Sequence, residues 1–174
     1  MVMSGTGERV VFVLDAPGDE SLLTGGTIAR LLDDGAQVTV LFGTTNATHA
    51  DADTVAAARL ILGETDPGQW RVLGDDPAAA DRHDLLRAAL MDAEATAVVT
   101  AAVDPALRQA AVEAAALHGV PVFLSSRVTA ATGQRLTAID VSDQVERKLA
   151  ALAAYARRWS VEGRLVRPAA GGEI

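Results

Sequence analysis

The feature that most constrains this chain is an alternation. Short, β-branched, almost continuously apolar runs are separated by stretches with helical periodicity. "RVVFVL" (Arg9–Leu14) and "QVTVLF" (Gln37–Phe42) read as strands buried on both faces, as parallel strands are. Between them, "DESLLTGGTIARLLDDG" spaces Leu22, Leu23, Gly26, Thr27, Leu31 and Leu32 as a helix would and stops at Gly35, which tolerates the left-handed conformation of a helix end. The pattern recurs: "DADTVAAARLILG", "ADRHDLLRAALMDA" and "DPALRQAAVEAAALHG" read as helices, and "QWRVLG", "ATAVVTAAV" and "VPVFLSS" as strands. "QRLTAIDV" reads as an edge strand, and "SDQVERKLAALAAYARRWSVEG" as a closing helix capped by Ser142. The fold expected is α/β: a Rossmann-like three-layer sandwich with a mostly parallel sheet flanked by helices and joined by right-handed crossovers.

The 174 residues suit one domain over 1–174, with the tail 166–174 expected to fray. Cys is absent, which removes disulfides, thiolate metal ligands and a Cys nucleophile. No apolar run approaches the ~18 residues a membrane span needs, and no basic leader precedes one, so a cytoplasmic protein with no membrane contact is expected. The net charge of −8, with no offsetting Lys/Arg cluster, argues against a nucleic-acid partner.

In such a sheet, ligands bind outside the carboxyl ends of the strands. "DAPGDE" (Asp15–Glu20), "TTNATH" (Thr44–His49) and "TAAVDP" (Thr100–Pro105) follow strands and should face that crevice. Asp15, Asp19, Glu20 and Asp104 are therefore candidate acids or bases. Thr44, Thr45, Asn46 and His49, with Tyr155 and Arg158 from the last helix, are candidate contacts for a small-molecule ligand. Each has a plainer reading as well. Asp19 and Glu20 suit a first helical turn, where acids gain roughly 0.3–1 kcal/mol from the macrodipole. Asp104 before Pro105 is a natural N-cap. His49 could simply be solvated, and Tyr155 and Arg158 could be surface residues.

The stretch "RVVFVLDAPGDESLLTGGTIARLLDDGAQVTVLFGTT" resembles the opening of the LmbE-like (PIG-L) zinc-dependent de-N-acetylases, which carry AHPDDE after the first strand and then a helix containing GGTIA. "TAAVDPALRQAAVEAA" is similar to the family's threonine, HPDH and helix. "IDVSDQVERKLAALAAYARRW" resembles its late helix, in which a Lys and an Ala-Leu pair lead to a His and then Ser-Gln. The resemblance spans most of the chain in order.

In the family, the signature His, its second Asp and the last His of HPDH hold zinc, and the first Asp is the general base. The resemblance puts Ala16 at the His ligand, Gly18 at the base and Asp19 at the carboxylate ligand. It lays Asp104, Pro105, Ala106 and Leu107 on HPDH, and Tyr155, Arg157 and Arg158 on the late His and Ser-Gln. A hydrolytic zinc site keeps three protein ligands and an open position for water. Asp19 alone does not make one.

The expectation is an LmbE-like chain without the zinc hydrolase centre, using no zinc or other cofactor. It would be repurposed for metal-independent chemistry on a small amine-, amide- or sugar-like molecule, with Asp15, Asp19 or Glu20 as acid or base. The alternative is a pseudoenzyme: a non-catalytic binding or partner subunit that keeps the family's tendency to form homo-oligomers. A third reading rebuilds a metal-dependent deacetylase from Asp15, Asp19, Asp104 and His49; the oxygens of Asp15, Asp19, Glu20 and Asp104 would by themselves suit a hard cation.

Overall fold

The structure, a computed structural model, describes residues 6–44, 51–74, 79–125 and 137–169. Five parallel strands, β1 (Arg9–Leu14), β2 (Gln37–Phe42), β3 (Trp70–Val72), β4 (Ala97–Thr100) and β5 (Val122–Leu124), form one sheet in the order β3-β2-β1-β4-β5. Val10 pairs with Val38 on one side and Ala97 on the other, so β1 lies at the centre and the chain reverses its direction of growth between β1 and β4. The sheet is the α/β three-layer arrangement that the alternation implies.

Alternate strand residues feed two cores. Val10, Phe12, Leu14, Val38, Val40 and Phe42 pack against α1 (Gly25–Asp33), α2 (Ala52–Leu62) and α5 (Val145–Ala154). Val11, Val13, Leu41 and Val98 pack against α3 (Ala79–Asp92) and α4 (Pro105–His118). Strands covered on both faces need apolar residues at every position, which is why β1 and β2 show no alternation in sequence. The helix ends follow their local signals. Asp51 accepts from Thr54 N at 2.8 Å to start α2, and Gly63 (φ +106°) and Gly119 (φ +67°) end α2 and α4 in the left-handed conformation.

Two elements depart from the sequence expectation. Residues 137–141 of "QRLTAIDV" form no strand; 134–136 lie outside the described residues. Val141 packs over α1, where a Cβ on Gly26 would come within 3.0 Å of its side chain, so the segment crosses the helix layer instead of extending the sheet. The closing helix is also shorter than its periodicity suggests. It opens with a 3-10 turn at Ser142–Gln144 and ends at Ala154, because Tyr155 (ψ 48°) leaves helical geometry and turns its ring into the core at 1% exposure. The chain then forms an antiparallel hairpin, β6 (Trp159–Glu162) with β7 (Leu165–Pro168), joined through Gly163 (φ +59°) and Arg164. The two-residue Gly-X connection is a hairpin signal. The hairpin also pairs residues 166–168 of the tail that was expected to fray. None of the described helices is long and apolar enough to cross a membrane.

Candidate functional site

The carboxyl end of β1 runs into Asp15–Gly18, and a π-helical turn, Glu20–Thr24, then leads into α1. Gly18 holds φ +99°, a conformation that side chains rarely adopt. A π turn breaks the regular helical ladder and is often found at functional sites. Here it lets both Asp19 and Glu20 turn inward.

Each acid of "DAPGDE" has a defined set of partners. Asp15 Oδ2 accepts from Val103 N at 2.6 Å, and its Oδ1 accepts from Asp104 N at 3.1 Å. The carboxylate thus ties the end of β1 to the loop between β4 and α4, 88 residues on. Asp19 Oδ2 accepts from Ala16 N at 3.2 Å, and Oδ1 accepts from Arg158 Nη2 at 2.7 Å in an ion pair. Burial pushes the Asp19 carboxyl above the usual carboxylate range, while the Arg158 charge and the two hydrogen bonds pull it back. Glu20 is completely buried, with Oε2 on Gly18 N and Oε1 on the Ser21 hydroxyl, each at 2.6 Å. Burial raises its pKa too, against hydrogen bonds from Ser21 and Gly18 that favour the charged form.

Arg158 closes the loop from the other side of the crevice. Its Nη1 donates to Pro17 O at 2.8 Å, and its guanidinium lies 5.3 Å from the centre of the Trp159 ring. A Cβ added to Gly18 would stand 2.9 Å from Arg158 Nη1, so the guanidinium would have to shift for any other residue at this position. Tyr155 lies beneath them. Its hydroxyl is buried and has no hydrogen-bond partner in good geometry, but it stands beside Glu20; desolvation and the Glu20 charge both push its pKa up.

Asp104 caps α4, with Oδ1 accepting from Ala106 N at 2.9 Å, and its Oδ2 pairs with Arg82 Nη1 at 3.1 Å. Leu107, one turn into α4, is 1% exposed. It fills the space above Gly43, where a Cβ would lie 2.7 Å from its Cδ2; only glycine permits that approach.

The structure therefore brings together Asp15, Asp19, Glu20, Asp104, Tyr155 and Arg158 around the ends of β1 and β4. Thr44 joins them through its backbone, with its N donating to Asp15 O at 3.1 Å. Thr45, Asn46 and His49 lie outside the described residues. His83, on α3, lies 3.7 Å from Glu113 of α4, and His118 is the last residue of α4. Among the described residues, no group of three or more His, Asp or Glu side chains is placed to hold a metal ion.

Sequence reasoning named Asp19 and Arg158 separately and missed that they pair. It also missed a second feature, an apolar cleft of about 330 Å³ between α2, the carboxyl end of β2 at Phe42, and β3 with the turn at Pro67 that precedes it. Arg59 lines that cleft. An arginine in register with the inward positions Val55 and Ala56, in a helix aliphatic from Val55 onward apart from it, was the signal available for it.

No family model matches the chain, and no curated protein does. Solved structures share its fold. A conserved protein from Thermus thermophilus superposes with a TM-score of 0.66 at 22% identity, over 85% of this chain and 78% of the other. The pseudoaglycone deacetylase Dbv21 superposes at 0.63 with 21% identity, over 84% and 81%. The N,N'-diacetylchitobiose deacetylase from Pyrococcus horikoshii does so at 0.55 with 19% identity, over 86% and 70%. At these identities the likeness establishes the fold.

Proposed function

We propose that this chain is an LmbE-like (PIG-L) protein without the family's zinc hydrolase centre, and that it works as a non-catalytic binding or partner subunit. The family assignment draws on the sequence resemblance together with the shared fold of solved deacetylases. Fold alone does not carry function, so the reading rests on the site.

The observation that carries it is the Arg158–Asp19 ion pair. Asp19 is the one side chain on the family's metal-ligand positions that offers a donor, and its Oδ1 is held by a guanidinium at 2.7 Å. The other two positions hold Ala16 and Leu107, whose side chains have no lone pair to give, and the base position holds Gly18. The residues present do not fit a zinc ion with three protein ligands and an open site. A permanent cation already neutralises the remaining carboxylate, as a buried acid requires.

The reading of metal-independent chemistry by the same acids has less support. Asp15 is occupied by two backbone amides, Asp104 by a helix cap and Arg82, and Glu20 has no exposed surface. A general acid or base must come within hydrogen-bond reach of its substrate, and these carboxylates are already engaged within the fold.

Acetate release from N-acetylglucosamine, measured with and without added zinc, tests the proposal. No release above the buffer rate in either condition is expected. Zinc-dependent release would overturn it, and zinc-independent release would return the acids of the crevice to a catalytic role.

A further inference from the structure

Arg59 is the one cation among the described residues that line the apolar cleft between α2 and the ends of β2 and β3. It is 7% exposed, and Nη1 donates to the backbone oxygen of Glu64 at 2.7 Å. Among the described residues that is its sole side-chain hydrogen bond, and it forms no ion pair. The nearby Glu64 carboxylate is engaged elsewhere, with Oε1 accepting from Asp66 N at 2.8 Å. A guanidinium has five N–H donors, and a buried charge is costly unless paired and hydrogen-bonded. Two other arginines have carboxylate partners: Asp19 for Arg158 and Asp104 for Arg82. Arg59, by contrast, has no carboxylate partner among the described residues, and the donors beyond the one on Glu64 O are open to a ligand.

The rest of the cleft supplies shape. Phe42 and Trp70 form one wall, with ring centres 5.8 Å apart in an edge-on arrangement, and Val55, Ala56 and Pro67 complete an apolar surface. About 330 Å³ falls within the range of small-molecule sites, which are mostly apolar with few polar groups to fix orientation. An aromatic wall favours a flat or ring-bearing body. A planar guanidinium matches a carboxylate bidentately.

We propose that this cleft is a binding site for a small apolar carboxylic acid, its ring or chain against Phe42 and Trp70 and its carboxylate on Arg59. Among the described residues, the site shares only Pro17 with the turn that Arg158 and Asp19 hold together. It rests on the binding reading and deepens it by naming a ligand class, but its test reads binding and not turnover, so either can fail alone.

The test is a titration of the whole protein with benzoate, phenylacetate and hexanoate, each beside its uncharged amide, and with inorganic phosphate, followed by calorimetry and by amide chemical shifts of residues 52–59 and 70–72. At least one acid should bind with shifts confined to these segments, and its amide should bind at least tenfold more weakly. Arg59→Met should abolish the preference for acid over amide while Arg59→Lys keeps part of it. Equal binding of acid and amide by the unaltered protein would overturn the proposal without recourse to any variant. So would shifts located elsewhere, no binding by any of the acids, or tighter binding of phosphate than of every acid.

Discussion

Arg158 and Asp19, separated by 139 positions in the chain, meet at 2.7 Å across the crevice at the carboxyl end of the sheet. The pair fastens the hairpin region after α5 to the turn after β1, and Pro17 O takes the second guanidinium nitrogen. With side-chain exposures of 29% and 12%, both partners are largely withdrawn from water. Removing only the cation strands a buried carboxylate, so Arg158→Ala should cost about 2–4 kcal/mol in urea unfolding. Asp19→Asn keeps an acceptor for Ala16 N and should cost less. The double variant should recover part of the single Arg158 loss; strict additivity would show that the two side chains do not act as a pair.

Asp15 binds two backbone amides that belong to a different loop, which makes it a strut between β1 and the start of α4. Losing a charged acceptor of two hydrogen bonds should cost about 2–3 kcal/mol in Asp15→Ala. Hydrogen exchange gives the specific readout. Val103 and Asp104 amides should lose protection in that variant, while amides of β2 should keep theirs.

The Asp104 carboxylate caps α4 through Ala106 N. Asp104→Ala should lower stability by about 1–2 kcal/mol, and Asp104→Ser, which can still cap, by clearly less. If the carboxylate were instead kept for chemistry, the two variants would not separate in this way.

Glu20 carries the pH dependence that is easiest to sign. Its folded pKa lies above the unfolded value because burial disfavours the charge. The folded state therefore holds the proton more tightly than the unfolded one. Glu20 contributes most when protonated, and that contribution is lost as pH rises from the ordinary carboxylate pKa through the raised folded one. Glu20→Gln mimics the neutral form and can still accept from Gly18 N or Ser21. Unfolding of both proteins between pH 5 and 8 should show the wild type gaining on the variant as the solution is acidified. A difference independent of pH would mean that Glu20 does not titrate differently on folding.

Gly18 cannot take the family's acid without a cost. Its φ of +99° strains any side chain, and a Cβ there would crowd Arg158 Nη1 at 2.9 Å. Gly18→Asp should destabilise by more than about 1 kcal/mol. Combined with Arg158→Ser, the steric part of that loss should be relieved and the backbone part should remain.

How much of this could be read from the chain depends on whether the governing interaction is local. β1 and β2 were legible because strands covered on both faces leave a run of apolar residues. The ends of α2 and α4 were legible because Asp51, Asp104, Gly63 and Gly119 act within a turn of where they stand. The end of α5 was not, since Tyr155 leaves the helix to bury its ring, a tertiary demand that helical periodicity does not record. The same holds at the site. "DAPGDE" announced its acids, and Glu20 finds its partners within or beside the motif, but the distant partners of Asp15 and Asp19, namely Val103, Asp104 and Arg158, lie 88, 89 and 139 positions away, and no spacing within the motif encodes them. Arg59 was overlooked for the opposite reason: an arginine in an exposed-looking alanine helix reads as solvated until the helix is seen to face a cleft.

In the function proposed above, an arginine and not a metal ion partners Asp19, the one carboxylate on the positions that the LmbE-like resemblance would assign to zinc ligands. Zinc analysis tests it directly, on protein purified without chelator, incubated with excess zinc and dialysed. The wild type is expected to retain no stoichiometric zinc, because Ala16 and Leu107 offer no donor and Asp19 is held by Arg158. One zinc per chain retained through dialysis, and lost in Asp19→Asn, would contradict the account.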